Sequence, residues 1–572
     1  MRYVCLTCDY DGTIARNGRV AQTTLQALEK VRSSGRRLIL ATGRELDDLI
    51  AVFPEVSLFE RIVAENGGLL YRPASKEQVL LADPPPAEFV EELARRGVEP
   101  LSVGRCVVAT WHPHETTVLE VIHTMSLELQ IIFNKNAVMV LPSGINKGTG
   151  LRVALNELGL SPHNVVGVGD AENDHAFLGL CECGVAVGNA LPALKERADW
   201  VTAHSHGAGV EEVIQPLLQN DLRDLEPRLK RHEILLGSAE NAQPLSLPAY
   251  GSRLLVAGPS GSGKSTVVSA LVERLVASEY QVCLFDPEGD YDEFENLMTL
   301  GGPQRAPSVS EILEILNNPS RSLSINMLGV PLADRPSFFQ STLARVQELR
   351  FKTGHPHWVV IDEAHHVLPA ELGGADIAVP KDLETFALVT VHPDLVSPSI
   401  LKSVGGIIAV GREPQKVVGG FNKGAGSNLQ FPRSSQASDH NGYVLVWLLP
   451  DVGGPSFVKV EPGKGQRRRH QRKYAAGELG EDRSFYFRGP HGKLNLRAQN
   501  MTLFAQLAEG LDEGTWSFHL SQGDYSRWLR DTIKDEDIAE MVAAIERDGK
   551  LSATDSRRQI LEAIRKHYTA PA

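Results

Sequence analysis

Val4-Cys5-Leu6-Thr7-Cys8-Asp9-Tyr10-Asp11-Gly12-Thr13 is an apolar run of strand length that ends in two carboxylates two residues apart. Ligands in open α/β sheets bind at such C-terminal strand edges, and Gly12 lets the chain turn sharply there. An ionised carboxylate can attack phosphorus to form an acyl phosphate, while a second on the same loop protonates the leaving group and later activates water. Standing alone, the stretch would also read as a turn with solvated acids.

It does not stand alone. Leu38-Ile39-Leu40-Ala41-Thr42-Gly43-Arg44 is a second strand ending in a hydroxyl and a guanidinium, both donors to a phosphoryl group. Asn146-Lys147-Gly148 supplies a cation, and Val165-Val166-Gly167-Val168-Gly169-Asp170-Ala171-Glu172-Asn173-Asp174 ends a third strand in carboxylates suited to Mg²⁺. Strand-ended Asp, Thr, Lys and Asp in that order resemble the four motifs of the haloacid dehalogenase superfamily. The likeness continues through Ala64-Glu65-Asn66-Gly67-Gly68, Gly184 to Ala190 and Ala198 to Thr202, which look like the Cof-type sugar-phosphatase branch. The resemblance implies a Rossmann-like domain over residues 1–218 with Asp9 as nucleophile and Asp11 as general acid/base. It further implies that Thr42 and Lys147 hold the phosphoryl group, with Gly12, Gly43, Arg44 and Asn173 around the substrate, and that Asp9, Asp11, Asp170 and Asp174 make the Mg²⁺ site. A cap of small α+β type is expected over about 69–144, and Arg105, His112, His114 and Asn134 are its polar candidates for substrate contact. Each of the four also reads as ordinary solvated surface. By the same resemblance the substrate is a small phosphorylated metabolite, a sugar phosphate or a phosphoglycolate-like ester.

A second phosphate-handling signature follows. Arg253-Leu254-Leu255-Val256-Ala257 leads into Gly258-Pro259-Ser260-Gly261-Ser262-Gly263-Lys264-Ser265-Thr266 and then a helix pattern. This is the P-loop in its strand–loop–helix context, with Gly258, Gly261, Gly263, Lys264 and Thr266 around the phosphates of ATP and Ser265 on its Mg²⁺. Trp358-Val359-Val360-Ile361 ends in Asp362-Glu363, where Asp362 would orient the metal's water shell and Glu363 polarise the attacking water. Together with Leu284 to Asp290 and Leu388 to Pro393, these features resemble the HerA/FtsK-like branch of RecA-type ATPases over residues 219–462. In that likeness His392 falls at a γ-phosphate-sensing position and Arg412 at that of an arginine finger, each of which reads equally as a structural or exposed residue. The branch often forms rings, so oligomerisation through this domain is an expectation.

The chain has 572 residues, enough for three or four domains, and a net charge of −13, which gives no overall field for a polyanion. Nucleic acid would need a local patch, and the one concentrated basic stretch, Lys464 to Lys473, lies in a segment over 463–480 that reads as an exposed linker. Residues 481–572 look mainly helical, with Trp516, Phe518, Tyr525, Trp528 and Leu529 as a small core. No apolar run reaches membrane-helix length, and the N-terminus enters a strand pattern directly, so a soluble cytoplasmic protein is expected. Cys5, Cys8, Cys181 and Cys183 carry the ligand softness of a zinc site, but their apolar strand contexts read as packing. The leading expectation is a Mg²⁺-dependent phosphomonoesterase acting through an aspartyl-phosphate and joined to an ATPase. The alternative is an ATP-driven motor on a nucleic-acid or protein partner, with the phosphatase as accessory. A non-turnover sensor ranks lower because Asp9, Lys147 and Glu363 are all in place, and a bifunctional kinase/phosphatase because the Asp362-Glu363 pair favours ATP hydrolysis over transfer.

Overall fold

The computed structural model describes residues 1–259, 262–292, 294, 297–370, 383–431, 442–449, 454–461, 463, 479, 484–533 and 535–568. These fall into two compact units, Met1–Asp292 with Asn296–Glu461, and Glu293–Glu295 with Pro462–Ala572.

The first unit is built on two sheets. The N-terminal one has eight strands in the order Trp200–Val201, Cys183–Ala186, Val165–Gly169, Cys5–Cys8, Arg37–Ala41, Arg61–Ala64, Leu69–Arg72 and Glu77–Leu80. The first six run parallel and the last two antiparallel. The central strands are apolar at nearly every position because helices cover both faces of such a sheet. Register then does the positioning. Cys8 pairs with Val168 on one side and Leu40 on the other, so Asp9, Asp170 and Thr42 leave the sheet at one edge.

The cap is a four-stranded antiparallel sheet, ordered Leu129–Asn134, Ala137–Pro142, Val108–Trp111 and Ser102–Val103, with the helices Ala87–Arg95 and Glu115–Thr124. Phe89, Leu93, Val118, Val121, Val138 and Val140 give it a separate core. Its lower boundary differs from the sequence expectation. Leu69–Arg72 and Glu77–Leu80, assigned there to the cap, are a hairpin on the edge of the main sheet, because Leu69 and Leu70 are buried against the main core.

The second sheet has eleven strands. Seven are parallel, in the order Gly406–Ala409, Arg253–Ala257, Phe386–Thr390, Trp358–Ile361, Val282–Asp286, Leu323–Asn326 and Met298–Gly301. Four antiparallel strands continue beyond Gly406–Ala409: Val444–Leu448, Ser456–Val460, Ile234–Ala239 and Pro244–Leu247. The last two come from residues 219–250 and close this edge of the sheet.

The two sheets meet through buried polar groups. Glu182 accepts hydrogen bonds from Arg2 Nη2 at 2.5 Å, His163 Nδ1 at 2.7 Å and Tyr280 Oη at 2.8 Å. The other ring nitrogen of His163 faces the Ser278 carbonyl at 2.7 Å, and its ring stacks on Tyr280 at 3.7 Å. Asn164 donates to the Gly354 carbonyl at 3.2 Å and accepts from His357 Nε2 at 3.1 Å. Arg2 also lies over the Tyr250 ring at 4.2 Å.

The second unit pairs the strands Phe485–Phe487 and Leu496–Ala498 and follows them with the helices Met501–Glu509, Glu513–Gln522, Asp524–Trp528, Glu536–Arg547 and Ala553–Tyr568. Trp516 stacks on Tyr525 at 4.4 Å and Phe504 on Trp528 at 5.1 Å. The start of this mainly helical segment is thus a pair of short strands, followed by a helix capped by Asn500 accepting from Leu503 N–H. The basic run Lys464 to Lys473 lies outside the described residues. Among the described residues no helix is long and apolar enough to cross a membrane.

Candidate active sites

At the edge of the first sheet, Lys147 is the organising charge. Asn146 caps the helix Lys147–Leu158 with a reciprocal capping box, which fixes Lys147 at the first helical position beside the end of the strand carrying Asp9. Its Nζ lies 2.6 Å from Asp9 Oδ1 and 2.7 Å from Asp174 Oδ1, and the side chain is 1% exposed. Burial works against this ammonium, but the carboxylates of Asp174 and Asp9 outweigh it and hold its pKa above the usual lysine range. Burial pushes the Asp9 and Asp170 carboxyls up. Asp174 Oδ2 takes the backbone N–H groups of Asp170 and Ala171, at 2.7 and 2.9 Å.

Ligand oxygens of Asp9, Asp170 and Asp174 lie within 4.8 Å of one another. Three buried carboxylates with only oxygen donors suit a hard dication such as Mg²⁺, which would offset the burial that raises the pKa values of Asp9 and Asp170. Asp11, expected among the metal-binding residues, turns instead to Arg44, whose Nε and Nη2 grip it at 2.5 and 2.8 Å. Arg44 also pairs with Asp48. Thr42 is buried and accepts from the Arg44 backbone N–H at 3.1 Å. Asn173 donates to Asn66 Oδ1 at 2.8 Å, and both pack beside Gly43. Gly12 has φ +89°, and a Cβ there would stand 2.3 Å from Asp170 Oδ2, so no side chain fits.

Three groups in this site escape a motif-based reading. Thr13 donates to Asp170 Oδ1 at 3.1 Å. Glu65, 1% exposed, receives the backbone N–H groups of Arg105, Cys106 and Val107, which ties the cap to the core. Lys135, at the tip of the cap hairpin, places Nζ 2.9 Å from Asp170 Oδ2. Thr13 and Glu65 fall inside quoted motif stretches and could have been singled out as buried donors and acceptors; Lys135 lies in no motif. Of the cap candidates, Arg105 pairs with Asp47, His112 with Glu115, and His114 with the Glu99 carbonyl. None of these three partners is a catalytic residue. The four cysteines weighed for zinc are buried free thiols; burial holds Cys5 and Cys183 up at about 12 and raises Cys8 and Cys181 as well.

At the second sheet, Gly258 and Gly263 flank the loop before the helix Lys264–Ala277; Gly261 lies outside the described residues. A Cβ on Gly258 would meet the Val410 carbonyl at 2.1 Å, so the loop packs backbone to backbone. Lys264 Nζ folds onto the Gly258 and Pro259 carbonyls at 3.0 and 3.1 Å, and burial pushes its pKa down. A phosphate would offer it a charged partner. Ser265 is exposed at the helix start and Thr266 follows it. Burial, then Glu363 and Asp286, raises the Asp362 carboxyl to about 8, and burial raises Asp286 to about 6. These clustered acids again suit a dication. Glu363 adopts φ +39°, and its buried Oε2 makes no hydrogen bond among the described residues. His365 stands 3.4 Å from that atom, but burial pulls its pKa down to about 4, so it is neutral and forms no ion pair at pH 7. His392 lines a cavity of about 610 Å³ with Gly258, Pro259, Asp394, Glu413 and Lys416. Arg412, on the neighbouring loop, is exposed and does not line it.

The haloacid dehalogenase-like hydrolase family model matches residues 6–99 and 120–214, and the model of the central domain of the helicase HerA matches residues 240–351. The phosphoglycolate phosphatase of Methanothermobacter thermautotrophicus is 30% identical over 219 residues, covering 37% of this chain and 96% of that protein. That of Haloarcula marismortui is 32% identical, with the same coverage. A solved haloacid dehalogenase-like hydrolase from Bacteroides thetaiotaomicron is 21% identical, spans 38% of this chain and 99% of its own, and superposes with a TM-score of 0.34.

Proposed function

Through its N-terminal third the chain belongs to the haloacid dehalogenase-like hydrolases, and from that premise we propose that it is a Mg²⁺-dependent phosphomonoesterase acting on a small phosphorylated metabolite, coupled to an ATP-hydrolysing domain. The observation that carries this reading is the Lys147 ammonium held between Asp9 and Asp174 at the edge where Asp170 and Thr42 also emerge.

Asp9 attacks phosphorus as a carboxylate; the Lys147 ammonium 2.6 Å away and a dication in the site would both favour that form against the burial that raises its pKa. The ester oxygen departs with the proton of Asp11, forming an aspartyl-phosphate on Asp9. Asp11 then takes a proton from water as that water attacks phosphorus, and phosphate leaves with Asp9 restored. Arg44 holds Asp11 at the side of the pocket, and Thr42 offers its hydroxyl to the phosphoryl oxygens. Mg²⁺, held by Asp9, Asp170 and Asp174, would neutralise phosphoryl charge as a Lewis acid. The cap seated through Glu65 excludes water. In the second domain Lys264, Ser265 and Asp362 serve ATP and its metal, and Glu363 polarises the attacking water, with His392 beside the phosphates. We assign the chain to the cytoplasm on its composition.

The test is phosphate release with Mg²⁺ from 2-phosphoglycolate, sugar phosphates and ATP by wild type, Asp9→Asn and Lys264→Ala. Release from a phosphomonoester that falls at least 10³-fold in Asp9→Asn and persists in Lys264→Ala is expected. The match of residues 240–351 to the HerA central domain favours a second reading, a motor on nucleic acid. DNA-stimulated, Lys264-dependent ATP hydrolysis without Asp9-dependent phosphatase activity would install it and remove the first.

A further inference from the structure

The cap hairpin Leu129–Asn134 and Ala137–Pro142 closes through the two-residue turn Lys135-Asn136, with Lys135 in the left-handed region at φ +55°. That turn is docked on the Asp170–Asp174 loop by two atoms of one residue. The Lys135 backbone N–H donates to Glu172 Oε2 at 3.1 Å, and Nζ lies 2.9 Å from Asp170 Oδ2. Both atoms hold the turn against the loop that carries the catalytic carboxylates.

The cations of this pocket are not equivalent. Lys147 is sealed between Asp9 and Asp174 and has no freedom to follow a substrate. Arg44 is pinned by Asp11 and Asp48. The Lys135 side chain is half exposed, held by one ion pair, and carried by the cap, the element that chooses substrates in enzymes with lids. Its Nζ meets Asp170 from the cap side of the site, and a dication on Asp170 would compete for that carboxylate and free the ammonium for a substrate. A neutral polyol offers it only uncharged hydroxyl acceptors. A carboxylate one or two carbons from the ester oxygen gives it a charge-assisted hydrogen bond.

We propose that Lys135 is the specificity-determining residue of the phosphatase site, pairing with a carboxylate next to the phosphate ester and so selecting short phosphorylated hydroxy acids over neutral-tailed esters. This role rests on the phosphatase reading above. The experiment compares wild type, Lys135→Met and Lys135→Arg on 2-phosphoglycolate and on p-nitrophenyl phosphate. It also measures 2-phosphoglycolate and inorganic phosphate binding calorimetrically on the Asp9→Asn background with and without Lys135→Met. The expected result is a selectivity ratio, 2-phosphoglycolate over p-nitrophenyl phosphate in kcat/KM, that falls at least tenfold in Lys135→Met, chiefly through KM, and is largely restored in Lys135→Arg. Affinity for 2-phosphoglycolate should drop at least tenfold more than affinity for phosphate. Equal losses on both substrates, or an unchanged ratio with an altered Mg²⁺ requirement, would overturn the proposal while leaving the phosphatase reading intact. Absence of any Asp9-dependent hydrolysis in wild type would remove both.

Discussion

Glu182→Gln removes one charge from the junction of the two sheets and almost no volume. Glu182 and Arg2 have side chains 2% and 6% exposed, so the guanidinium loses its main counter-charge inside the protein. Breaking a buried pair from one side costs about 3–5 kcal/mol. Two features put this case near the lower end. Glu226 remains 3.5 Å from Arg2, and a glutamine oxygen can still accept from Tyr280. A loss of about 3 kcal/mol is therefore expected, which at ~1–3 kcal/mol/M moves a urea midpoint by about 1 M or more. Burial raises the Glu182 carboxyl, but the hydrogen bond from His163 and the charge of Arg2 outweigh it and hold its pKa well below the usual range. A depressed carboxylate contributes fully above its unfolded pKa of about 4.3 and loses that contribution as pH falls through the folded value. The measurement therefore belongs at pH 7, by urea unfolding of the full chain followed by tryptophan fluorescence. The double variant Arg2→Met/Glu182→Leu, which removes both members of the buried pair, should recover most of the loss. A single-variant cost below about 0.5 kcal/mol, or a double variant no better than the single, would refute the reasoning.

Glu65→Gln should weaken the cap's seat, since a neutral amide oxygen replaces a carboxylate that takes three backbone N–H groups; KM for the preferred phosphomonoester should rise about tenfold, for about 1.5 kcal/mol, and steady-state kinetics checks it. Gly12→Ala should abolish phosphatase activity while Lys264-dependent ATP hydrolysis continues, because a Cβ would stand 2.3 Å from Asp170 Oδ2 at φ +89°; an active variant would show that the loop can move aside. His355, pulled down to about 4, and His357, pulled well below its usual value, are both buried and disfavour the charged form chiefly through burial. Their contribution is complete above the unfolded pKa of about 6.5 and is lost as pH falls toward 4, by up to about 1.4 kcal/mol per pH unit for each group. A His357→Asn variant should show a shallower loss across that window in urea titrations.

Both sheets were readable because their central strands are apolar runs that end in chemistry, at Asp9, Thr42, Asp170, Lys264 and Asp362. Adjacent motif residues stayed adjacent in space, so spacing along the chain was enough. The edge elements were not readable in the same way. Ile234–Ala239 buries only half of its positions and Pro244–Leu247 only Leu247, and the hairpin Leu69–Leu80 follows the parallel strand Arg61–Ala64 so closely that it looks like the start of an insertion. Lys135 lies in a turn, where a lysine is ordinarily solvent-facing and nothing local marks it as a reader of the catalytic loop. The junction was invisible for a different reason. Arg2, His163, Glu182, Tyr280 and His357 come from five places along 356 residues, and no local pattern anticipates a network whose members meet only in the folded chain.

The helix that begins at Lys264 ends where Ser278 and Tyr280 grip His163 and Glu182. One residue past His163 lies Asn164, and from there a single strand, Val165–Gly169, runs straight to Asp170. On the proposed coupling, the helix would work as a lever with one end in the nucleotide loop and the other against the footing of a catalytic carboxylate. Fourteen residues make it about 21 Å long, so a tilt of about 5° at the phosphate end displaces the other by about 2 Å. A misplacement of ~1 Å at a reacting group can cost 10²-fold in rate. A movement too small to change either fold would be large enough, at that distance, to set the pace of the other site.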